Sequence, residues 1–240
     1  TVVAAANGAA YIFELPVSFN QPHLVQHDFE EGVAPGWTVD TGTWSVVSSG
    51  GTHVFRQSNA SVDATAFLGA IDWENQSIQA DVRALSFNGN DRWFGLMVRY
   101  IDPANYYYIT ARDSNTVQLK RIVNGVFQTL ASAPLNVATG KTYRLRLEAV
   151  GKWLRVFVDG RLMLEFKDGT HTHGAIGVRM YQASAQYDNI VVTSNPATTL
   201  YRDNFQGGTN VEWQASPTGA WSIAGTAAKV FRQSSTTADA

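Results

Sequence analysis

The chain has 240 residues, 45% apolar and 16% charged, with 20 Gly, 7 Trp, 9 Tyr, 12 Phe and a formal net charge of -2. That length allows one large or two small domains, and the composition is that of a folded, strand-rich protein rather than a disordered one. The small net charge gives no global reason to expect nucleic acid or an anionic membrane as partner, and the absence of cysteine excludes disulfides and thiolate metal sites.

No stretch approaches the roughly 20 apolar residues of a membrane span. The start, Thr1 to Ala6, lacks the basic region and long apolar run of a signal peptide, so an exported protein would be met here in a mature or excised form. Residues 1–25, with the apolar run from Tyr11 to Phe19, read as a strand pair or the tail of a preceding domain. From about Phe29 to Val192 short alternating runs are broken by turn residues every 8 to 12 positions or so, the pattern of a sandwich or barrel. The clearest predicted strands are 77–83, 93–100, 106–112, 117–122, 143–149, 154–158, 175–181 and 187–192. Asn124-Gly125 and Asp159-Gly160 sit between such runs and predict tight hairpins, because both dipeptides tolerate positive φ.

An internal repeat follows. Phe29, Trp37, Gly42, Trp44-Ser45 and the Phe55–Ser58 run recur as Phe205, Trp213, Gly219, Trp221-Ser222 and Phe231–Ser234, and Asp63-Ala64 recurs as Asp239-Ala240. Phe29 to Phe55 and Phe205 to Phe231 are both separated by 26 positions, which chance explains poorly. A second module therefore opens near Leu200, after a linker at residues 196–199, and stops after its first strands. The expected organisation is an N-terminal segment at 1–25, a sandwich module at 26–195, and the linker with an incomplete repeat at 196–240. Half a sandwich leaves an apolar face and sheet edges bare, so that tail is expected to dock on the first module or on another chain.

Several of these runs resemble a known family. Residues 28–32 (DFEEG), 36–37 (GW), 42–45 (GTWS), 100–108 (YIDPANYYY), 143–148 (YRLRLE), 158–160 (VDG) and 187–192 (YDNIVV) are similar to the concanavalin A-like, or laminin G-like, jelly-roll modules appended to bacterial secreted polysaccharide-degrading enzymes, pectate lyases among them. The likeness covers roughly residues 27–193. It implies an all-β, two-sheet antiparallel jelly-roll sandwich in a secreted protein, with a carbohydrate-binding or adhesive role, and function has then to be argued from the site.

Arginine outnumbers lysine 13 to 5, and several arginines lie inside predicted strands. Alternation puts Tyr143, Leu145, Leu147 and Ala149 on one face and Arg144, Arg146 and Glu148 on the other. It likewise sets Arg155 and Phe157 opposite Leu154, Val156 and Val158, and Arg179 and Tyr181 opposite Ile176, Val178 and Met180. Arg99 and Arg112 end two aromatic-rich strands. If these strands share a sheet, one face is a lattice of guanidinium forks and rings, which suits a uronate polymer: the fork matches a carboxylate and the rings stack on sugar faces. The competing reading pairs the arginines with Asp81, Glu148 and Glu165 in cross-strand ladders. The candidate sugar-contacting residues are Trp93, Arg99, Tyr106, Tyr108, Arg112, Arg144, Arg146, Arg155, Arg179 and Tyr181.

Asp28, Glu30 and Asp188 lie near the ends of the first and last strands of the module, where similar modules often carry a structural calcium; ordinary turn-capping carboxylates are the alternative. His171 and His173 have no evident third partner for zinc and read as a solvated loop. The Glu-x-Asp-x-x-Glu pattern of laminarinase-like hydrolases and the motifs of jelly-roll alginate lyases do not occur, nor do Gly-x-Ser-x-Gly, phosphate-loop or dinucleotide patterns. The sequence thus points to a non-catalytic module that binds an acidic polysaccharide for an enzyme. The alternatives are an assembly protein joined to neighbouring copies by strand exchange through the incomplete repeat, and a fragment of a polysaccharide lyase whose catalytic domain lies elsewhere.

Overall fold

The computed structural model describes residues 23–194 continuously and four further strands by their backbone. Two compact units are present, residues 1–20 with 199–240, and residues 21–198. In the first, β1 (Val2–Ala6) pairs with β2 (Ala9–Phe13), and β18 (Trp221–Ala224) pairs with β19 (Val230–Gln233), both antiparallel.

The second unit carries fifteen strands among its described residues, and no helix. They are β3 (His23–His27), β4 (Thr38–Thr41), β5 (Trp44–Ser49), β6 (Thr52–Gln57), β7 (Asp63–Leu68), β8 (Gln76–Phe87), β9 (Trp93–Asp102), β10 (Asn105–Arg112), β11 (Thr116–Val123), β12 (Val126–Pro134), β13 (Thr142–Val150), β14 (Trp153–Val158), β15 (Arg161–Lys167), β16 (Ala175–Tyr181) and β17 (Ala183–Ser194). One sheet has seven strands in the order β12-β11-β10-β9-β16-β7-β4. The other has eight, β15-β14-β13-β8-β17-β6-β5 with β3 also on β17. The chain crosses between sheets at β3–β4, β4–β5, β6–β7, β7–β8, β8–β9, β12–β13, β15–β16 and β16–β17, which makes the two layers a jelly-roll sandwich.

Alternation explains which side chains meet between the layers. Phe94, Leu96, Val98, Tyr107, Ile109, Ile176, Val178 and Met180 from one sheet pack against Ile78, Ala80, Val82, Leu145, Leu147, Leu154, Val156 and Val192 from the other in one buried core. Each large apolar side chain so buried contributes about 1.5–3 kcal/mol. Three tyrosines enter this core without leaving a bare hydroxyl, and Tyr107 Oη donates to Asp168 Oδ1 at 2.6 Å. Tyr143 Oη donates to Asn136 O and accepts from Ala138 N, both at 2.8 Å, and Tyr187 Oη donates to Gly95 O at 3.1 Å.

The two expected hairpins form where the dipeptides place them. Asn124 and Gly125 have φ of 49° and 77°, and Asp159 and Gly160 have 50° and 80°. Gly95, in the middle of β9, is required for a different reason: a Cβ there would collide with the carbonyl oxygen of Ile109 on the neighbouring strand.

The residues that recur in the sequence form an aromatic cluster. Phe55 stacks on Phe29 at 5.6 Å and on Trp44 at 4.8 Å, with Trp37 at 5.4 Å. The pairing recurs as well. In β5–β6, Trp44, Ser45, Val46 and Val47 face Gln57, Arg56, Phe55 and Val54; in β18–β19, Trp221, Ser222, Ile223 and Ala224 face Gln233, Arg232, Phe231 and Val230. The linker at 196–199, Phe205, Trp213, Gly219, Ser234, Asp239 and Ala240 lie outside the described residues, as does the expected docking of the tail.

Candidate functional site

Strand β9 lies near the middle of the seven-stranded sheet and is buried on both sides along Trp93–Tyr100. Its inward residues belong to the core. Its outward ones, Trp93, Met97 and Tyr100, form a second apolar cluster with Tyr106, Tyr108, Ile122 and Ala175, against which Phe67 and Tyr181 pack. At its centre stands Arg179. Its guanidinium lies 5.5 Å from the Trp93 ring, 5.3 Å from Tyr106 and 5.5 Å from Tyr108, and its Nε donates to Asp63 Oδ1 at 2.9 Å while Nη2 reaches Asp63 Oδ2. The side chain of Arg179 is 9% exposed and that of Asp63 42%, so the carboxylate is the wet end of the pair.

Arg112 is the second cation on this face, its side chain 10% exposed and its Nη2 paired with Asp91. Thr110 stands between Arg112 and Tyr108 on the same face of β10, and Gly95, the Cα partner of Arg179, supplies no side chain beside it. Thr110 Oγ1, Arg112 Nη1 and Arg179 Nη1 are buried without a hydrogen-bond partner in the protein, three of seven such atoms among the described residues. Each orphaned group costs about 1–3 kcal/mol. Burial also holds Lys120 below its ordinary pKa, with Arg112 adding repulsion, and pushes Tyr108 up. Tyr100 Oη reaches Asp40 at 3.4 Å and closes the other end of the patch.

The expected single lattice of arginines does not form, because β13 and β14 belong to one sheet and β9, β10 and β16 to the other. Arg144, Arg146 and Arg155 are on the outer face of the eight-stranded sheet, where each is engaged. Arg144 grips Asp81 with two bonds at 2.8 and 3.0 Å, Arg155 pairs with Glu165 at 2.6 Å, and Arg146 lies 3.2 Å from Glu148 and 3.8 Å over the Phe157 ring. On that face the ladder reading holds for Arg144 and Arg155, while Arg146 pairs along its own strand.

Arg99 belongs to neither face. It sits at a bulge with φ of 51°, and its guanidinium donates to Glu74 O, His171 O and Gly151 O at 3.1, 2.8 and 2.6 Å, so it ties three loops together. Trp93, Tyr106 and Tyr108 are 6%, 2% and 2% exposed; they hold Arg179 rather than offering open rings, and Tyr181 is the half-buried ring beside them. His171 corrects the solvated-loop expectation. It is buried, its backbone N donates to Tyr107 Oη at 3.0 Å, and its Nε2 meets Ile122 O at 2.7 Å, which requires the proton on Nε2. His173 is exposed.

Asp28, Glu30 and Asp188 come close enough for their charges to interact: burial first, then Glu30, Asp81 and Asp28, raise the pKa of Asp188. Glu30 is turned to Thr52 Oγ1 and to His53 N, and Asp28 accepts from Glu30 N. No three His, Asp or Glu side chains gather for a metal ion among the described residues.

No protein-family model matches the chain. A levanase of Bacillus subtilis (strain 168) is 25% identical over 162 residues, 66% of this chain and 23% of the levanase, so the chain spans under a quarter of that relative. The carbohydrate binding module CBM66 from Bacillus subtilis superposes with a TM-score of 0.56 at 22% identity, over 65% of this chain and 93% of that one. The chain has the fold of that module. A GH43 protein of Bacillus licheniformis matches with a TM-score of 0.56 at 14% identity, over 77% of this chain and 41% of its own, and a β-glucanase of the same organism with 0.52 at 13%, over 72% and 98%. The module fold therefore stands apart from catalysis, being shared with a binding module and with enzymes alike; the pectate lyase-associated type is not among these relatives.

Sequence reasoning missed Asp63, Asp91 and Thr110 as parts of the module's aromatic face. Asp63 carried a signal, its recurrence as Asp239, but the 116 positions between it and Arg179 hid the pairing.

Proposed function

We propose that the chain is a non-catalytic polysaccharide-binding module of a secreted polysaccharide-degrading enzyme, and that it binds glycan on the outer face of the seven-stranded sheet around Arg179. The observation that carries this reading is the convergence there of three buried, unpartnered polar atoms, Thr110 Oγ1, Arg112 Nη1 and Arg179 Nη1, beside a half-exposed Asp63 carboxylate. A glycan hydroxyl or carboxylate that reaches these atoms completes hydrogen bonds that folding leaves open, and the rings keep the Arg179 guanidinium in place, so little order is lost on binding. The carbohydrate binding module and the levanase among its relatives support the ligand class. The finer part of the proposal is an acidic polymer. Its support is the trio Arg112, Lys120 and Arg179, whose N–H groups suit a uronate carboxylate. Tethering to the polymer would raise the local concentration of the attached enzyme.

The test is affinity electrophoresis through gels containing polygalacturonate, alginate, levan or a neutral β-glucan. The wild-type chain is expected to be retarded by the uronates, Arg179→Ala to lose at least tenfold in affinity, and Arg146→Ala to keep it. Retardation by levan alone would replace the acidic polymer with a neutral one; equal loss in both variants, or no retardation in any gel, would sink the assignment of the face.

Calcium is part of the proposal only as a ligand to be tested, given the donor arrangement at Asp28, Glu30 and Asp188. A melting temperature unchanged by millimolar calcium and by chelator would remove it. A second reading, strand exchange between copies through the repeat, draws on the matched register of β5–β6 and β18–β19. A concentration-independent monomer in sedimentation would remove that one.

A further inference from the structure

The aromatic face does not stop at Tyr106. Cross-strand partners share a face, and the register runs Tyr106 to Ile122 on β11 and Ile122 to Phe127 on β12. Tyr100 stands 5.4 Å from Tyr106 and 5.0 Å from Phe67, so an apolar stripe crosses the sheet from Phe67 on β7 to Phe127 on β12. Its inner members are buried, whereas Phe127 is 60% exposed. An exposed phenylalanine at a loose tip would carry no argument. This tip is pinned: Gly125 N donates to Ala104 O and Asn124 N to Asn105 Oδ1, each at 3.0 Å, so the β11–β12 turn is fastened to the β9–β10 turn.

From these positions we infer that the glycan runs across the strands from the Arg179 cluster to Phe127, and that the module takes an internal stretch of polymer rather than a chain end. The inference rests on the glycan-binding reading of this face. Strand spacing and rise put Phe127 about 23 Å from Arg179, several sugar units away, with Lys120 on the intervening β11. Phe127 then offers an open ring for a distant sugar, the role that the buried Trp93 and Tyr108 cannot fill.

The experiment is titration calorimetry of the full chain with short (two- and three-unit) and long (ten-unit or more) fragments of polygalacturonate, and with levan fragments in parallel. Phe127→Ala is expected to weaken the long fragments roughly five- to tenfold and leave the short ones unchanged, with Phe127→Tyr restoring the wild-type value. Arg179→Ala is expected to lose both. Equal effects of Phe127→Ala on short and long fragments, no effect on either, or a shift in sedimentation coefficient that marks Phe127 as a contact between copies would overturn the inference while Arg179→Ala still tests the face. Failure of the wild-type chain to bind any fragment would sink the underlying reading and the inference with it.

Discussion

The two outer faces of the sandwich use the same residue type in opposite ways. On the eight-stranded sheet Arg144 and Arg155 pair with carboxylates across strands and Arg146 with Glu148 along its own strand, with side chains of Arg144, Arg146 and Arg155 55%, 35% and 35% exposed. On the seven-stranded sheet the side chains of Arg112 and Arg179 are nine-tenths buried, Arg179 among rings, and each keeps an N–H that nothing in the protein meets. The first arrangement is close to energetically neutral, because water already serves those charges. The second costs stability in the free protein, and the ladder shows that the sequence could have avoided it. Arg56 Nε on the eight-stranded sheet is also unpartnered, so the faces differ in degree: three such atoms gather on the seven-stranded face, and that concentration is what marks it.

The comparison can be broken at several points, and the largest effect belongs to the arginine that serves neither face. Arg99→Ala leaves three carbonyls unmet and a cavity in the rim, and is expected to cost about 4 kcal/mol in urea unfolding, with any loss of glycan affinity following the unfolded fraction. Arg179→Ala comes next. Removing one partner of a largely buried pair costs about 3–5 kcal/mol when both are dry; with Asp63 half exposed, roughly 2–3 kcal/mol is expected, together with loss of binding in the fraction that remains folded. A variant that keeps full stability but binds nothing would sharpen the contrast further, and one that binds normally would end it.

Arg155→Ala on the ladder face is expected to cost less than about 1 kcal/mol and to leave glycan affinity unchanged. The smallest effect is one of pH. Hydrogen bonds from Arg144, and from Asn189, hold the Asp81 carboxyl below its ordinary pKa despite its partial burial. A carboxyl depressed by folding stabilises the protein above the unfolded value of about 3.9 and loses that contribution as pH falls through the folded one. The melting temperatures of wild type and Arg144→Ala should therefore differ by a constant amount above about pH 5 and converge below about pH 4. A gap that persists in acid would mean that Arg144 acts by packing rather than by charge.

Much of the fold was legible in the chain itself. Strand period, the dipeptides at Asn124 and Asp159, and the inward sets on β13, β14 and β16 follow from alternation and turn chemistry, which are local and need no partner. The repeat was equally visible, and it marks the aromatic cluster of Phe29, Trp37, Trp44 and Phe55. Alternation also set Arg144, Arg146, Arg155 and Arg179 outward, but outward from which sheet is decided by strand order, a long-range property that period alone does not contain.

That long-range order is what made the candidate site. It joined Asp63 to Arg179, laid Trp93, Tyr106 and Tyr108 around the guanidinium, sent Arg144 and Arg155 to their carboxylates, and drew Arg99 and His171 into the interior. The sequence by itself determined that this chain is an antiparallel β protein with arginine-bearing outer faces. Only the tertiary structure decided which arginines are satisfied and which are buried with donors to spare, because hydrogen-bond partners and desolvation are set by neighbours far away in the chain.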